Sequence, residues 1–314
     1  MKYPTLSDIK RAHQRIEQYI VRTPVLTSQS INELTGSSLH FKCENFQKIG
    51  AFKMRGAANA IFSIRPEERE KGFATHSSGN HAQAVALAAK LAKTKAYVVM
   101  PKNAPAVKKK AVLGYGAEII FCEPNEKARE DTCNEVIERT GAKFIHPFHD
   151  PQIIAGQATA TKELIEDESD FDVIMTPVGG GGLAAGSALA TEYLTPNTEV
   201  ILAEPEEVND AYESFKTGKL HPSTNKPTIA DGLKTSLGEL NFRIIQDYVK
   251  DIYTVSESEI VEAMRMVWER MKIIIEPSCA VPLAAVIKNQ QYFQGKKIGI
   301  VLTGGNVDLE NLPF

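Results

Sequence analysis

Short apolar runs alternate with stretches of helical periodicity along nearly the whole chain. Residues 71–78 (KGFATHSS) read as a strand, followed by a helix through 81–89 (HAQAVALAA). A second strand at 96–100 (AYVVM) is closed by Pro101 and leads into a helix rich in lysine and alanine. Residues 118–121 form a third, and a helical stretch over 126–139 runs into an extended segment at 143–145. Later apolar runs fall at 173–175, 200–202 and 298–302. Runs this short, separated by helices, are what parallel strands buried on both faces produce. The pattern predicts an α/β protein without internal repeats or low-complexity linkers. Ligands of open α/β sheets bind beyond the carboxyl ends of strands, so chemistry is sought in the polar and glycine residues there.

The 314-residue length suggests two domains or one large α/β unit. With 43% hydrophobic and 24% charged residues, the composition excludes a disordered or fibrous chain. A net charge of −3 gives no electrostatic footprint for nucleic acid. The densest basic run, Lys108-Lys109-Lys110, reads as a solvated helix face. No apolar stretch approaches the ~20 residues of a membrane span. The start, Met1-Lys2-Tyr3-Pro4-Thr5, has no apolar leader, which predicts a cytoplasmic protein. Cys43, Cys122, Cys133 and Cys279 form no C-x-x-C pair and read as reduced structural thiols. The seven histidines show no metal-binding spacing.

Four segments carry candidate chemistry. Val178 is followed by Gly179, Gly180, Gly181 and Gly182, between a strand and a helix. Successive glycines expose backbone N–H groups at the positive end of a helix, a natural phosphate site. A tight turn needs one or two glycines rather than four. No Gly-Lys-Ser/Thr follows, so this is not a Walker loop. Gly180-x-Gly182-x-x-Ala185, with Glu204 24 residues beyond Gly180, also fits a loose dinucleotide fingerprint, and a nicotinamide-dependent oxidoreductase is the rival reading.

The second segment weighs against that rival. Lys53 sits in Ala51-Phe52-Lys53-Met54-Arg55-Gly56-Ala57, flanked by aromatic and small residues at a helix start. Any helix start can carry a lysine, but a Schiff-base lysine needs such partial desolvation to lower its pKa. In the third, His76-Ser77-Ser78-Gly79-Asn80-His81, hydroxyls at a helix N-terminus suit a carboxylate, with plain helix capping as the simpler reading. The fourth, Leu302-Thr303-Gly304-Gly305-Asn306, closes the last strong strand and reads either as a turn or as a ligand contact.

Ala51-Phe52-Lys53-Met54-Arg55-Gly56-Ala57 resembles the Ser-Phe-Lys-x-Arg-Gly-Ala motif of the fold-type II pyridoxal-phosphate enzymes. Within them the chain is most similar, over almost its whole length, to the serine racemases and the serine/threonine and threo-3-hydroxyaspartate dehydratases. The resemblance implies a tryptophan synthase β-like fold, with two open, twisted, mostly parallel sheets covered by helices. It implies a large cofactor-binding domain from residues 1–70 and 150–314, and a small mobile domain, 71–149, inserted into it. Lys53, beside Phe52, would hold pyridoxal 5'-phosphate covalently, and Gly179 to Gly182 its phosphate. Asn80 would lie near the phenolic oxygen and Thr303 at the pyridine nitrogen. A neutral hydroxyl there makes the ring a weaker electron sink, which favours β-elimination. Ser78 would face Lys53 across the ring, while Ser77, Asn80 and His81 bind the substrate carboxylate.

Arg129, partnered by Thr235, would take the second carboxylate of a dicarboxylate substrate. Glu204, the Val208 carbonyl and Asp210 would bind Mg²⁺ or Ca²⁺ as a structural and allosteric ion, since oxygen ligands suit hard cations. The resemblance further implies a homodimer with an ATP effector site at Lys48, Gln83, Lys108, Tyr115, Lys272 and Asn306, although Ile49 replaces a hydroxyl residue there. The expected activity is dehydration and deamination of L-serine, L-threonine or threo-3-hydroxyaspartate to a 2-oxo acid and ammonia. Serine racemisation, with Ser78 as second acid, is an additional or alternative activity. The chain stops at Phe314, soon after Thr303, so no C-terminal regulatory domain is expected.

Overall fold

The computed structural model describes residues 2–104, 106–224 and 226–314. Ten strands form two sheets among the described residues. The strands are β1 (Val25–Leu26), β2 (Ser38–Cys43), β3 (Phe73–His76), β4 (Ala96–Pro101), β5 (Glu118–Cys122), β6 (Lys143–Phe144), β7 (Val173–Pro177), β8 (Glu199–Pro205), β9 (Asp251–Val255) and β10 (Lys297–Leu302). The larger sheet has the order β1-β2-β10-β7-β8-β9 and the smaller β5-β4-β3-β6. Every pairing is parallel except that of β1 with β2.

The order turns back on itself between β10 and β7 in one sheet and between β3 and β6 in the other. Ligand crevices open at such reversals. The segments that follow β3, β7 and β10 are the serine, glycine and threonine segments singled out above.

Three strands escaped the sequence pattern: β1, β2 and β9. In β2, SLHFKC, a buried lysine stands where an apolar residue was expected. Lys42 has no exposed side-chain surface because Glu163 pairs with it at 2.8 Å. The two-residue β1 is too short to show a period, and β9, DIYTV, mixes polar and apolar residues without alternation.

Side-chain capping sets some of the helix starts. Thr5 and Asp8 form a capping box for helix Leu6–Ile16, as Ser256 and Glu259 do for helix Glu257–Met271. Asp150 caps helix Pro151–Asp167, which starts on a proline. By contrast, helices Lys53–Ser63, Asn80–Leu91, Gly182–Leu194 and Pro277–Lys288 begin with no capping side chain. All four start at the site described below.

Helix Lys53–Ser63 packs between helix Asn80–Leu91 and helix Pro151–Asp167. Met54, Ala57 and Ile61 share one core with Phe73, Ala82, Val85 and Val98 of the smaller sheet and its helix. Its other side meets helix Pro151–Asp167 at two glycines. A Cβ on Gly56 would stand 2.4 Å from Gln157 Nε2, and one on Gly156 would stand 2.7 Å from the Arg55 carbonyl. Backbone contact this close admits no side chain.

Candidate active site

Ala51 bridges to Gly304 and the Phe52 N–H donates to the Thr303 carbonyl at 3.0 Å, so the turn before Lys53 is tied to the end of β10. The Lys53 Nζ donates to the Pro147 carbonyl at 2.9 Å and lies 5.2 Å from the centre of the Phe52 ring. Burial lowers its amine to about 8, against the opposing charge of Glu276.

Two residues on, Arg55 fixes the same turn. Its guanidinium forks onto Glu44 at 2.7 and 2.8 Å and onto Glu163 at 2.8 and 2.7 Å. None of the three side chains is exposed. A paired and fully hydrogen-bonded cluster is how charge survives burial.

The glycine loop joins β7 to helix Gly182–Leu194. A Cβ on Gly180 would meet the Phe148 ring at 2.3 Å, and one on Gly179 would meet Leu233 at 2.9 Å. Gly181 has φ +85°. Packing and backbone conformation therefore exclude a side chain at Gly179, Gly180 and Gly181. Among the described residues, the N–H groups of Gly179, Gly180, Gly181 and Gly182 donate to no protein acceptor, which leaves them for a phosphate. The Gly180 carbonyl is held by Asn241 Nδ2 at 2.6 Å and the Gly238 N–H at 3.2 Å.

After β3, Ser77 Oγ accepts from the Gly79 N–H at 3.3 Å. The Ser78 hydroxyl has no hydrogen-bond partner among the described residues. Asn80 donates from Nδ2 to Glu276 Oε1 at 2.8 Å, and its Oδ1 accepts from Asn306 Nδ2 at 2.8 Å. One amide hydrogen of Asn80 is thus left for a ligand.

His81 is buried, with Nε2 3.2 Å from the Ile145 carbonyl. A carbonyl only accepts, so Nε2 carries the hydrogen. Burial and the Lys53 charge keep the ring neutral, well below its ordinary pKa. Its imidazole therefore has no proton for a carboxylate, and any such contact at His81 falls to the backbone N–H in the uncapped first turn of helix Asn80–Leu91.

Thr303 is buried at the end of β10, its hydroxyl in reach of the Cys279 thiol, which burial pushes up. Glu276 escaped the sequence reading. It precedes Pro277 at a helix start, and burial together with Asp231 raises its carboxyl to about 8. A glutamate just before a Pro-N1 helix was the available signal. His146 also went unnoticed. Its Nδ1 accepts the N–H groups of Phe148 (3.2 Å) and His149 (2.8 Å), and burial lowers the ring to about 4.

Other expected residues lie further out. Arg129 and Thr235 are half-buried and share no hydrogen bond among the described residues. The Glu204 carboxylate accepts the N–H groups of Ala211 (3.0 Å) and Tyr212 (2.8 Å), and Asp210 accepts that of Leu237 (2.9 Å). Burial and the Asp210 charge push Glu204 well above its ordinary range; burial raises Asp210 to about 6. Lys108 does not lie on a freely solvated face. It pairs with Asp231 from across the cleft. Lys48 and Tyr115 are half-buried, Lys272 is exposed and Gln83 is buried. Asn306 also donates to the Ile49 carbonyl at 2.8 Å, holding that β-branched residue at φ 63°.

An enclosed amine of lowered basicity and a run of N–H groups free among the described residues are what a cofactor bearing both an aldehyde and a phosphate requires, and the residues present fit that group. Residues 16–304 match the family described as pyridoxal-phosphate dependent enzyme, and the chain belongs to it. The chain is 48% identical over 314 residues to β-hydroxyaspartate dehydratase of Paracoccus denitrificans, covering 100% of both. It is 52% identical to the serine racemase of Dictyostelium discoideum, covering 98% of this chain and 96% of that one. Among solved structures, a threonine deaminase of T.th. superposes with a TM-score of 0.93 at 41% identity, over 98% of this chain and 99% of the other. These likenesses fix the fold-type II architecture and set the nicotinamide reading aside.

Proposed function

We propose that the protein catalyses β-elimination of short β-hydroxy amino acids, L-serine, L-threonine or threo-3-hydroxyaspartate, releasing a 2-oxo acid and ammonia. Serine racemisation is its second activity. The observation that carries this reading is the Lys53 amine, lowered to about 8 and enclosed at the meeting point of the glycine, serine and threonine segments. When bound, pyridoxal phosphate supplies a conjugated ring that spreads the negative charge left at the substrate α-carbon. The chain's own groups do the rest. Lys53 takes the α-proton, the N–H groups of Gly179 to Gly182 hold the phosphate, and Thr303 meets the pyridine nitrogen. The remaining Asn80 donor serves the phenolic oxygen, beside Phe52. Ser77 and the first N–H groups of helix Asn80–Leu91 hold the substrate carboxylate, with Arg129 and Thr235 on a second carboxylate.

Elimination ranks first because it needs one proton acceptor. Racemisation needs a proton donor on the opposite face, and Ser78, the candidate, has no neighbouring base hydrogen-bonded to it among the described residues.

Glu204, the Val208 carbonyl and Asp210 hold Mg²⁺ or Ca²⁺ in this reading. Two buried carboxyls that repel each other support it, because a hard cation relieves both. Residues 71–149 move as a unit against the rest, closing the cleft over the substrate. A homodimer with an ATP site at Lys48, Gln83, Tyr115 and Lys272 belongs to the same reading. Lys108 and Asn306, bonded within the chain, would exchange partners to join it. No helix among the described residues is long and apolar enough to cross a membrane, in keeping with a cytoplasmic enzyme.

The test is a panel of both enantiomers of serine, threonine and 3-hydroxyaspartate, with Mg²⁺ or EDTA, scoring 2-oxo acid, ammonia and D-serine. Lys53→Ala should abolish all products. Turnover that survives it, or purified protein that takes up no pyridoxal phosphate, would sink the reading.

A further inference from the structure

His81 holds a buried polar atom that no group among the described residues satisfies. Its Nε2–H donates to the Ile145 carbonyl, which also accepts from Thr75 Oγ1 at 2.9 Å. Ile145 is itself held by its N–H on the Ala74 carbonyl at 2.9 Å. The ring is therefore anchored by one nitrogen to a rigid strand end. The other nitrogen, Nδ1, is buried with no hydrogen-bond partner among the described residues. The side chain is 3% exposed, and Lys53, His146 and His76 are the charged or titratable groups that act on it. The ring thus stands within electrostatic reach of Lys53 with a lone pair on Nδ1, and an unpaired buried acceptor costs about 1–3 kcal/mol.

A donor that enters with the ligand would satisfy this acceptor. Of the polar groups on a β-hydroxy amino acid, the carboxylate only accepts and is repelled by a lone pair. The amino group is committed to the cofactor carbonyl. The β-hydroxyl is the remaining donor. Building on the elimination chemistry above, we propose that His81 Nδ1 accepts the hydrogen bond of the substrate β-hydroxyl. This makes His81 a substrate-recognition residue that selects β-hydroxy amino acids over analogues without the hydroxyl. It orients the hydroxyl, whose oxygen gains a proton as it leaves, the one that Lys53 has taken from the α-carbon. A site that hydrogen-bonds a hydroxyl rejects the analogue lacking it, because its own acceptor is then left bare.

Two variants separate the ring's two nitrogens. His81→Asn keeps an acceptor near Nδ1 and loses the Ile145 bond. His81→Gln keeps a donor for Ile145 and loses the acceptor. Each holoenzyme is assayed for pyruvate from L-serine and from β-chloro-L-alanine, whose leaving group donates no hydrogen bond. The serine-to-chloroalanine ratio of kcat/KM should fall at least ~10-fold in His81→Gln and stay within about threefold of the parent in His81→Asn. An unchanged ratio in His81→Gln overturns the proposal. Parent enzyme that forms pyruvate from neither substrate overturns the elimination reading as well.

A second readout needs no turnover. In ring-¹⁵N-histidine holoenzyme, α-methyl-L-serine, which has the hydroxyl but no α-proton, should shift the His81 Nδ1 resonance, and 2-aminoisobutyrate should not. Equal shifts with both ligands, or a protonated Nδ1 in the resting enzyme, overturn it.

Discussion

Arg55 and Glu163 meet as two parallel hydrogen bonds, Nη1 to Oε1 at 2.8 Å and Nη2 to Oε2 at 2.7 Å, with no exposed surface on either side chain. Glu163 also takes Lys42, and the surrounding cations hold its carboxyl down to about 2 against its burial. Glu163→Leu would leave two buried cations short of a partner. It should cost about 3–5 kcal/mol, read as a lowered urea midpoint. A variant as stable as the parent would show that the cluster adds nothing to the anchoring of the Lys53 turn.

Lys53 sets a pH dependence for cofactor capture. The neutral amine is the attacking form, and an amine at about 8 is roughly one-tenth neutral at pH 7, against about 0.03% for an ordinary lysine. Stripped protein mixed with pyridoxal phosphate should gain its visible absorbance band about tenfold faster at pH 7 than at pH 6, levelling off above pH 8. A rate that climbs unabated to pH 10 would mean that the lysine is not enclosed.

Glu276 orients Asn80 through one accepted hydrogen bond. Glu276→Gln preserves a carbonyl acceptor and Glu276→Leu does not. The leucine variant should lose about 10-fold or more in kcat/KM, consistent with one buried donor left bare, while the glutamine variant keeps most activity. Equal losses in the two would show that charge or volume, rather than the orientation of Asn80, is what Glu276 provides.

His146 has its ring lowered from 6.5 to about 4, first by burial. The unfolded chain takes up this proton at a higher pH than the native state does. Stability from this residue is therefore full above pH 6.5 and is lost as pH falls towards 4, by at most about 3 kcal/mol. His146→Asn keeps an acceptor for the Phe148 and His149 N–H groups but removes the titration. Its acid-unfolding midpoint should lie below the parent's in fluorescence titrations; a coincident midpoint refutes the assignment.

If Glu204 and Asp210 hold a divalent cation, Mg²⁺ should raise the parent's Tm and leave that of Asp210→Asn in place, since a ligand stabilises only the state that binds it. Equal shifts in the two proteins would remove the metal from this loop.

The sequence by itself determined the alternation of strands and helices, and with it the carboxyl-end positions of the serine, glycine and threonine segments. Those signals are local: apolar period, strand length and the residues that end a run. The motif around Lys53 carried the cofactor class for the same reason, because its residues are contiguous. Glu276 and His146 were not legible. A glutamate before a proline and a histidine before a proline acquire meaning when the fold sets the first on Asn80, 196 positions away, and the second over two backbone N–H groups.

Tertiary structure alone decided the charge states and the directions of the polar groups. Lys42 became a strand residue because Glu163 arrives from a distant helix to neutralise it. Only the packing shows that Phe148, Leu233 and Leu237 occupy the volume a Cβ would need at Gly180, Gly179 and Gly181. The His81 tautomer follows from the Ile145 carbonyl, which can only accept and so takes the Nε2 hydrogen. Such assignments depend on which desolvated groups face one another across the chain, and that is fixed by packing rather than by the order of residues.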